Sequence, residues 1–219
     1  MILSKEELVR LYRKRAKSYD ITANLYYLAG FREQAYRRKA VDALRLHRGR
    51  TVVEIGCGTG LNFSLLQQKI GSHGRIIGID LTDKMLDEAR KRVQREGWSN
   101  VELVQTDALH YRFPEGVDGI LSSFAITLIP EYEDVIRKGA KALSPGGRFV
   151  ILDLKKPDGW PMWITRLGAW TASPFGVSIE MADRHPWEAM DRCLVNTSLT
   201  GLYGGFAYIS VGEAPSRYD

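Results

Sequence analysis

Val52-Val53-Glu54-Ile55-Gly56-Cys57-Gly58-Thr59-Gly60 is the stretch whose reading decides the fold of this 219-residue chain. Its opening β-branched run, interrupted only by Glu54, has the pattern of a strand buried on both faces. Glycines then alternate with small residues, and glycine is what lets a backbone turn sharply where a Cβ would collide. A strand therefore runs straight into a tight turn. Outward from it, two further apolar runs end in an acid: Arg75-Ile-Ile-Gly-Ile-Asp80 and Val101-Glu-Leu-Val-Gln-Thr-Asp107. One glycine turn and two carboxylates at successive strand ends predict a binding crevice at one edge of a sheet.

The pattern around these ends is regular. Strands are predicted near 51–56, 75–80, 101–106, 117–122 and 148–154, with helices near 60–70, 82–96 and 131–143 between most of them. Such alternation implies an α/β fold, a parallel sheet with helices on both faces. Asp83 and Asp87 open the 82–96 helix and Arg90 to Arg95 close it, in the sense that complements a helix dipole. Ser144-Pro145-Gly146-Gly147 reads as a turn before a buried strand. Ahead of the alternating region, Ser4 with Glu7 forms a capping box that opens a helix through about Lys17. Leu8, Leu11, Tyr12 and Arg15 share one of its faces; Arg10, Lys14 and Lys17 share another. A second helix, about 31–46, carries a basic face at Arg37, Arg38 and Lys39. After strand five the chain is loop-like and tryptophan-rich over 155–180, helical over 182–194, and closes with two strands over 198–212.

Bulk properties exclude several classes. No apolar run approaches the roughly 20 residues that span a bilayer, and Met1-Ile-Leu-Ser-Lys-Glu-Glu lacks the plan of a signal peptide. Cys57 and Cys193 make no disulfide framework, so a cytoplasmic location is expected, with contact at a membrane surface left open. The net charge of +5 is uneven: residues 1–50 hold thirteen Lys and Arg against five Asp and Glu. That segment suits an anionic membrane surface, an anionic substrate, a nucleic acid, or simply a solvated helix face. Nucleic acid is disfavoured, because no aromatic platform interleaves with the charges and no appended RNA module is visible.

The glycine spacing bears on the ligand. In dinucleotide enzymes a third glycine, three residues after the second, lets helix and strand close around a pyrophosphate. Leu61 stands at that position here. The G-x-G-x-G form suits a cofactor with a charged amino-acid tail and no pyrophosphate, whose ammonium group Glu54 can organise. Asp80 can accept from two ribose hydroxyls. Asp107 can accept from an exocyclic adenine amine while Ala108 leaves room for the ring. Cys57, between glycines, reads as packing.

With these residues in place, the sequence resembles the class I S-adenosylmethionine-dependent methyltransferases. The matching stretches are Val53-Glu-Ile-Gly-Cys-Gly-Thr-Gly60, Ile79-Asp-Leu-Thr-Asp-Lys-Met85, Thr106-Asp-Ala108 and Leu143-Ser-Pro-Gly-Gly-Arg-Phe149, within about 35–154. The resemblance implies a Rossmann-like, seven-stranded, mostly parallel sheet and S-adenosylmethionine as methyl donor. It places Glu54, Gly56, Gly58 and Gly60 at the methionine moiety, Asp80 at the ribose and Asp107 at adenine, with Cys57, Thr59, Thr106 and Ala108 among the cofactor-binding residues. Leu81 and Met85 would flank the adenosine, and Ser123 would lie beside the cofactor after strand four. It further implies a single domain: a helical lid over 1–46, a cofactor core over 47–154, and an acceptor-side segment with closing strands over 155–219.

The acceptor is less defined. Methyl transfer from a sulfonium needs positioning, desolvation and at most one base. Lys17-Ser-Tyr19-Asp20 resembles the lid of ubiquinone/menaquinone C-methyltransferases and phospholipid N-methyltransferases, and more loosely that of diacylglyceryl-homoserine N-methyltransferases. By that resemblance Tyr19 closes over the sulfonium and is the candidate catalytic residue; Tyr12, Tyr26 and Tyr27 pack the lid. No Asn/Asp-Pro-Pro-Tyr follows strand four, where Ser122-Ser123-Phe124-Ala125 stands instead. Asp153 is the lone acid near strand five and no His/Cys cluster has zinc spacing, so no metal is expected. His110 and His185 are alternative bases. Trp160, Trp163 and Trp170 fall within eleven residues, and that segment can meet a membrane, cover a small aromatic acceptor, or lie in the core. A lipid headgroup, a prenylated or aromatic small molecule, or a soluble metabolite is the expected acceptor.

Overall fold

The computed structural model describes residues 4–20, 30–157 and 183–216. The tryptophans at 160, 163 and 170, with Tyr26 and Tyr27, lie outside the described residues. Seven strands are formed: β1 (Thr51–Ile55), β2 (Arg75–Asp80), β3 (Val101–Gln105), β4 (Val117–Ser123), β5 (Leu143–Leu154), β6 (Val195–Leu202) and β7 (Ala207–Glu213). They make one sheet in the order β3-β2-β1-β4-β5-β7-β6. β1 to β5 are mutually parallel, whereas β7 runs antiparallel to both β5 and β6. The helices are α1 (Lys5–Arg15), α2 (Glu33–Ala43), α3 (Phe63–Ile70), α4 (Asp83–Glu96), α5 (Tyr132–Ala142) and α6 (Pro186–Cys193).

Successive strand residues point to opposite faces of a sheet, and the core divides accordingly. Val52, Ile76, Leu121 and Val150 pack with Val41 of α2, Phe63 and Leu66 of α3 and Leu86 of α4. Val53, Ile77, Ile120 and Ile151 pack on the other side with Ile136 of α5 and Met190 of α6. Full burial of each such side chain contributes roughly 1.5–3 kcal/mol, so the run that opens β1 supports both layers at once. Glu54 falls on the face of Val52, toward α2 and α3.

Local chemistry explains the boundaries. The Ser4 capping box forms as expected: Ser4 Oγ accepts from the Glu7 N–H at 3.2 Å and Glu7 Oε2 from the Ser4 N–H at 2.8 Å. α1 stops at Arg15, and a 3₁₀ turn over Ala16–Ser18 carries the chain on. The helix expected from residue 60 begins at Phe63, because Gly60 at φ +78° and the Phe63 N–H to Gly60 carbonyl bond still belong to the turn. α4 ends where Gly97 turns left-handed at φ +68°. Ser144-Pro145-Gly146-Gly147 lies within β5 as a bulge, between the pairs Val117–Leu143 and Gly119–Arg148. Pro145 has no N–H for the ladder, and paired bonds between 146–147 and Ala214 hold the bulge in place. Residues 106–116 join β3 to β4 with a turn begun at Asp107 rather than a helix. No helix among the described residues is long and apolar enough to cross a membrane.

Candidate active site

Strand order reverses between β1 and β4, and in open α/β sheets that switch point is where ligands bind, beyond the carboxyl ends of the strands. The glycine turn sits there with Gly56, Gly58 and Gly60 at φ +65°, +54° and +78°. Their surroundings differ. A Cβ on Gly56 would lie 2.3 Å from the Ala125 Cβ, and one on Gly60 2.5 Å from the Phe63 ring. A Cβ on Gly58 would meet no protein atom within 4 Å. Gly56 and Gly60 are thus required by packing, and Gly58 by the space beside it. Asp80 reaches across and accepts from the Gly58 N–H at 2.9 Å and the Thr82 N–H at 2.8 Å. Burial pushes the Asp80 carboxyl up, against the pull of those bonds.

Gly56, Gly58, Asp80, Leu81 and Met85 line a cavity at this switch point, joined by Thr106, Asp107, Ala108 and Ser123. Tyr19 lines it too, and α1 forms the facing wall through Lys5, Leu8, Val9 and Tyr12. The cavity measures about 130 Å³. Glu54, Cys57, Thr59 and Gly60 stand behind its surface. The Cys57 thiol is buried, and burial pushes it up. Thr59 Oγ1 donates to Asp20 Oδ1 at 2.6 Å, and the Thr59 carbonyl accepts from Arg92 Nε at 2.9 Å.

Glu54 is 1 % exposed. Its Oε1 accepts from Asn62 Nδ2 at 2.6 Å, while Oε2 has no hydrogen-bond partner among the described residues. Asn62 Nδ2 also donates to Ser123 Oγ at 3.0 Å, and Asn62 Oδ1 accepts from Arg37 Nη1 at 3.3 Å. Arg37 pairs in turn with Glu33 at 2.7 Å and lies 5.2 Å from the Phe124 ring centre. Burial raises the Glu54 carboxyl to about 7, with Asn62 and Arg37 pulling the other way. A buried acceptor left open costs about 1–3 kcal/mol, and a ligand's cationic N–H group would satisfy it. The residues present therefore fit a donor carrying an amino-acid ammonium.

This network corrects the reading of α2: Arg37 does not share an exposed basic face with Arg38 and Lys39. It is buried, because Glu33 one turn earlier and Asn62 compensate its charge. Asn62 and Lys5 likewise carry no signal in the sequence. Asn62 follows Gly60 in a turn whose direction no local pattern reveals. Lys5 Nζ pairs with Asp107 Oδ2 at 2.9 Å and Glu131 Oε2 at 3.0 Å, contacts across the whole fold. Burial alone would raise the Asp107 carboxyl, but Lys5 and the Leu109 N–H offset this and hold it low.

Burial pushes the Tyr19 phenol up to about 12, so it stays protonated near neutrality. Neither His110 nor His185 is among the cavity-lining residues, and His185 Nδ1 lies 3.0 Å from Glu188. Asp153 is buried and accepts from the Thr127 N–H and Oγ1 and from the Leu154 N–H. It anchors the turn that brings Leu128 to the cavity wall. Among the described residues no cluster of His, Cys, Asp or Glu could hold a metal ion.

Replacing Asp80 with Ala removes a cavity-lining carboxylate and frees two N–H groups of the turn. Affinity for S-adenosylmethionine is expected to fall by at least about 100-fold, as loss of two charge-assisted hydrogen bonds at 1.5–3 kcal/mol each implies. Calorimetry giving an unchanged affinity would remove Asp80 from the site.

A doubly wound sheet with a G-x-G-x-G turn at its switch point, an acid at the end of β2 and an open buried carboxylate beneath define a class I S-adenosylmethionine-dependent methyltransferase. Comparison with known proteins agrees and narrows the class. The profile of the ubiE/COQ5 methyltransferase family matches residues 1–171, and the chain belongs to that family. It is 28% identical over 165 residues to the demethylmenaquinone methyltransferase of Listeria welshimeri, covering 73% of this chain and 69% of that one. It is 30% identical over 152 residues to the ubiquinone/menaquinone biosynthesis C-methyltransferase UbiE of Salmonella arizonae, covering 68% and 60%. Among solved structures, a SAM dependent methyltransferase from Aquifex aeolicus superposes with a TM-score of 0.61 at 20% identity, over 81% of this chain and 89% of that one. The protein is an enzyme, and its donor is S-adenosylmethionine.

Proposed function

We propose that this enzyme methylates a ring carbon of a prenylated hydroquinone, with α1 and Tyr19 closing over the donor. The family match over 171 residues carries the reading, together with the names of its quinone-methylating relatives. The chemistry is compatible. A phenolic ring is nucleophilic at carbon once its hydroxyl proton is drawn away, and the bound donor supplies a methyl group already activated as a sulfonium. The chain's task is to align the two and keep water out. Phe124, Leu128, Ile129 and Pro130 give the cavity an apolar side that suits a ring rather than a charged metabolite.

Closure by α1 follows from size and from the contacts that hold the helix. Small-molecule pockets start at roughly 300 Å³, so α1 has to withdraw for the donor to enter and then close again on the bound donor with the cavity wider than it is here. Its attachments include ion pairs: Lys5 to Asp107 and Glu131, and Arg13 to Asp83 at 2.7 Å. Asp20 adds a bond to Thr59 and a pair with Arg92. Partly exposed pairs of this kind contribute only about 0.2–1 kcal/mol each, and from Lys5 to Ser18 only Leu8 and Ala16 are buried apolar residues. These pairs therefore oppose opening only weakly.

The test is to incubate the protein with methyl-labelled S-adenosylmethionine and separated quinone, lipid, RNA and soluble-metabolite fractions. Label is expected in the quinone fraction, and label confined to lipid headgroup amines would overturn the proposal. If the face of the Tyr19 ring steadies the sulfonium, Tyr19→Phe should keep most of kcat. Tyr19→Ala should lose roughly tenfold, the worth of a desolvated cation–π contact being about 1–2 kcal/mol. Equal losses in both variants would assign the role to the hydroxyl.

A further inference from the structure

α1 has a second face, and it borders a second cavity. A cleft of about 520 Å³ lies between α1 with its 3₁₀ extension and α4. Arg13, Lys14 and Lys17 line it from one side; Lys84, Arg90 and Lys91 from the other. Only Asp87 and Glu88 among its lining residues are acidic. Asp87 is shared by Lys84 and Arg90, Glu88 holds Lys91, and Arg13 is paired with Asp83 outside the lining. Six cations against these three acids leave an excess of three. Lys14 and Lys17 are exposed and have no carboxylate partner among the described residues.

We propose that this cleft binds the phosphate groups of anionic phospholipid headgroups, and that occupancy fastens α1 over the cofactor cavity. Ammonium groups on flexible stems are point-charge partners for phosphate, and the cleft is concave enough to receive a headgroup rather than merely face a charged plane. No aromatic ring lines it, so it offers no stacking platform for the bases of a single-stranded nucleic acid. The inference rests on the prenylated-acceptor reading above, since an acceptor dissolved in a bilayer has to be met at its surface.

The coupling follows from placement. Leu8, Val9 and Tyr12 face the cofactor cavity while Arg13, Lys14 and Lys17 face the cleft. Gathered like charges repel, and this repulsion favours release of α1 from α4. A phosphate between the two helices cancels it, so a protein docked on an anionic surface retains its donor more tightly. Reciprocally, bound donor strengthens docking by the same factor.

Flotation with phosphatidylcholine vesicles, with and without phosphatidylglycerol, tests the docking. The wild type should float only with phosphatidylglycerol. A Lys14→Gln/Lys17→Gln variant should bind about 30-fold more weakly, at about 1 kcal/mol per lysine near such a surface. An Arg38→Gln/Lys39→Gln variant, which removes two exposed charges from α2, should bind as the wild type does. Calorimetry with S-adenosylhomocysteine reads the coupling: phosphatidylglycerol vesicles should tighten binding several-fold in the wild type and not in the Lys14/Lys17 variant. Equal losses in the two double variants would reduce the effect to overall charge and overturn the site. Tightening by inorganic phosphate alone would assign the cleft to a soluble phosphate ligand, and tighter retention of an RNA oligonucleotide to a nucleic acid; each overturns the headgroup assignment. None of these readouts needs a methyl acceptor, so a failure of quinone methylation is seen separately.

Discussion

Gly58→Val should abolish measurable binding of S-adenosylmethionine, with affinity lowered by more than about 100-fold, in a protein that still folds. No protein atom lies within 4 Å of where the new Cβ would point, so the side chain meets no wall of the fold. Gly58 lines the cavity together with Gly56, Asp80 and Leu81, and the side chain is expected to take up that space. The backbone at φ +54° adds a strain of roughly 1–2 kcal/mol for a residue with a Cβ, which lowers the melting temperature by a few degrees. Gly56→Ala should behave in the opposite way. Its Cβ would stand 2.3 Å from the Ala125 Cβ, and backbone has to shift to relieve the clash, at about 1–3 kcal/mol or more. Thermal unfolding and calorimetry on the two variants should therefore separate, one losing ligand and the other losing stability. If both lose stability alone, the space beside Gly58 is not where the donor binds.

How far the sequence discloses this site depends on whether a residue's role is local. The strand ends are local: apolar runs broken by Gly56, Asp80 and Asp107 place three cavity-lining positions on one sheet edge without knowledge of packing. The order of β1 and β4 follows from crossover rules once the alternation is recognised. Arg37 shows the limit. On its own helix it belongs with Arg38 and Lys39, and only the approach of α3, which brings Asn62, makes burial tolerable. The ion pair of Glu33 and Arg37 one turn apart was a visible signal, but the same spacing occurs on solvated helices. Lys5 is further from reach still, since its partners Asp107 and Glu131 lie more than a hundred residues away. The bulge at Pro145 looks like a turn in the sequence because proline and glycine report a break in the ladder, not whether the strand resumes in the same sheet.

Glu54 makes the second large prediction, a dependence on pH that runs opposite to most carboxylates. Its folded value of about 7 lies above the ordinary 4.5. Between these values the unfolded chain has released the proton while the folded one holds it, so stability is complete below about 4.5 and falls as pH rises through 7. A shift of this size corresponds to about 3 kcal/mol by pH 8. Asp153, raised by burial to about 6, adds a loss of the same sign that is nearly complete by pH 7. Glu54→Gln keeps the acceptor for Asn62 and removes the titration, so its unfolding free energy should vary less between pH 5 and 8 than that of the wild type. Donor binding should show the complement. An ammonium group on Oε2 favours the ionised carboxylate, and wild-type affinity should rise about fivefold from pH 6 to 7, before most of an α-amino group of ordinary pKa about 7.7–8.0 has lost its proton. In Glu54→Gln the affinity should be weaker and flat over the same range. A wild-type affinity that stays flat would mean that Glu54 is ionised without the ligand, and that the open oxygen faces something other than the donor's amine.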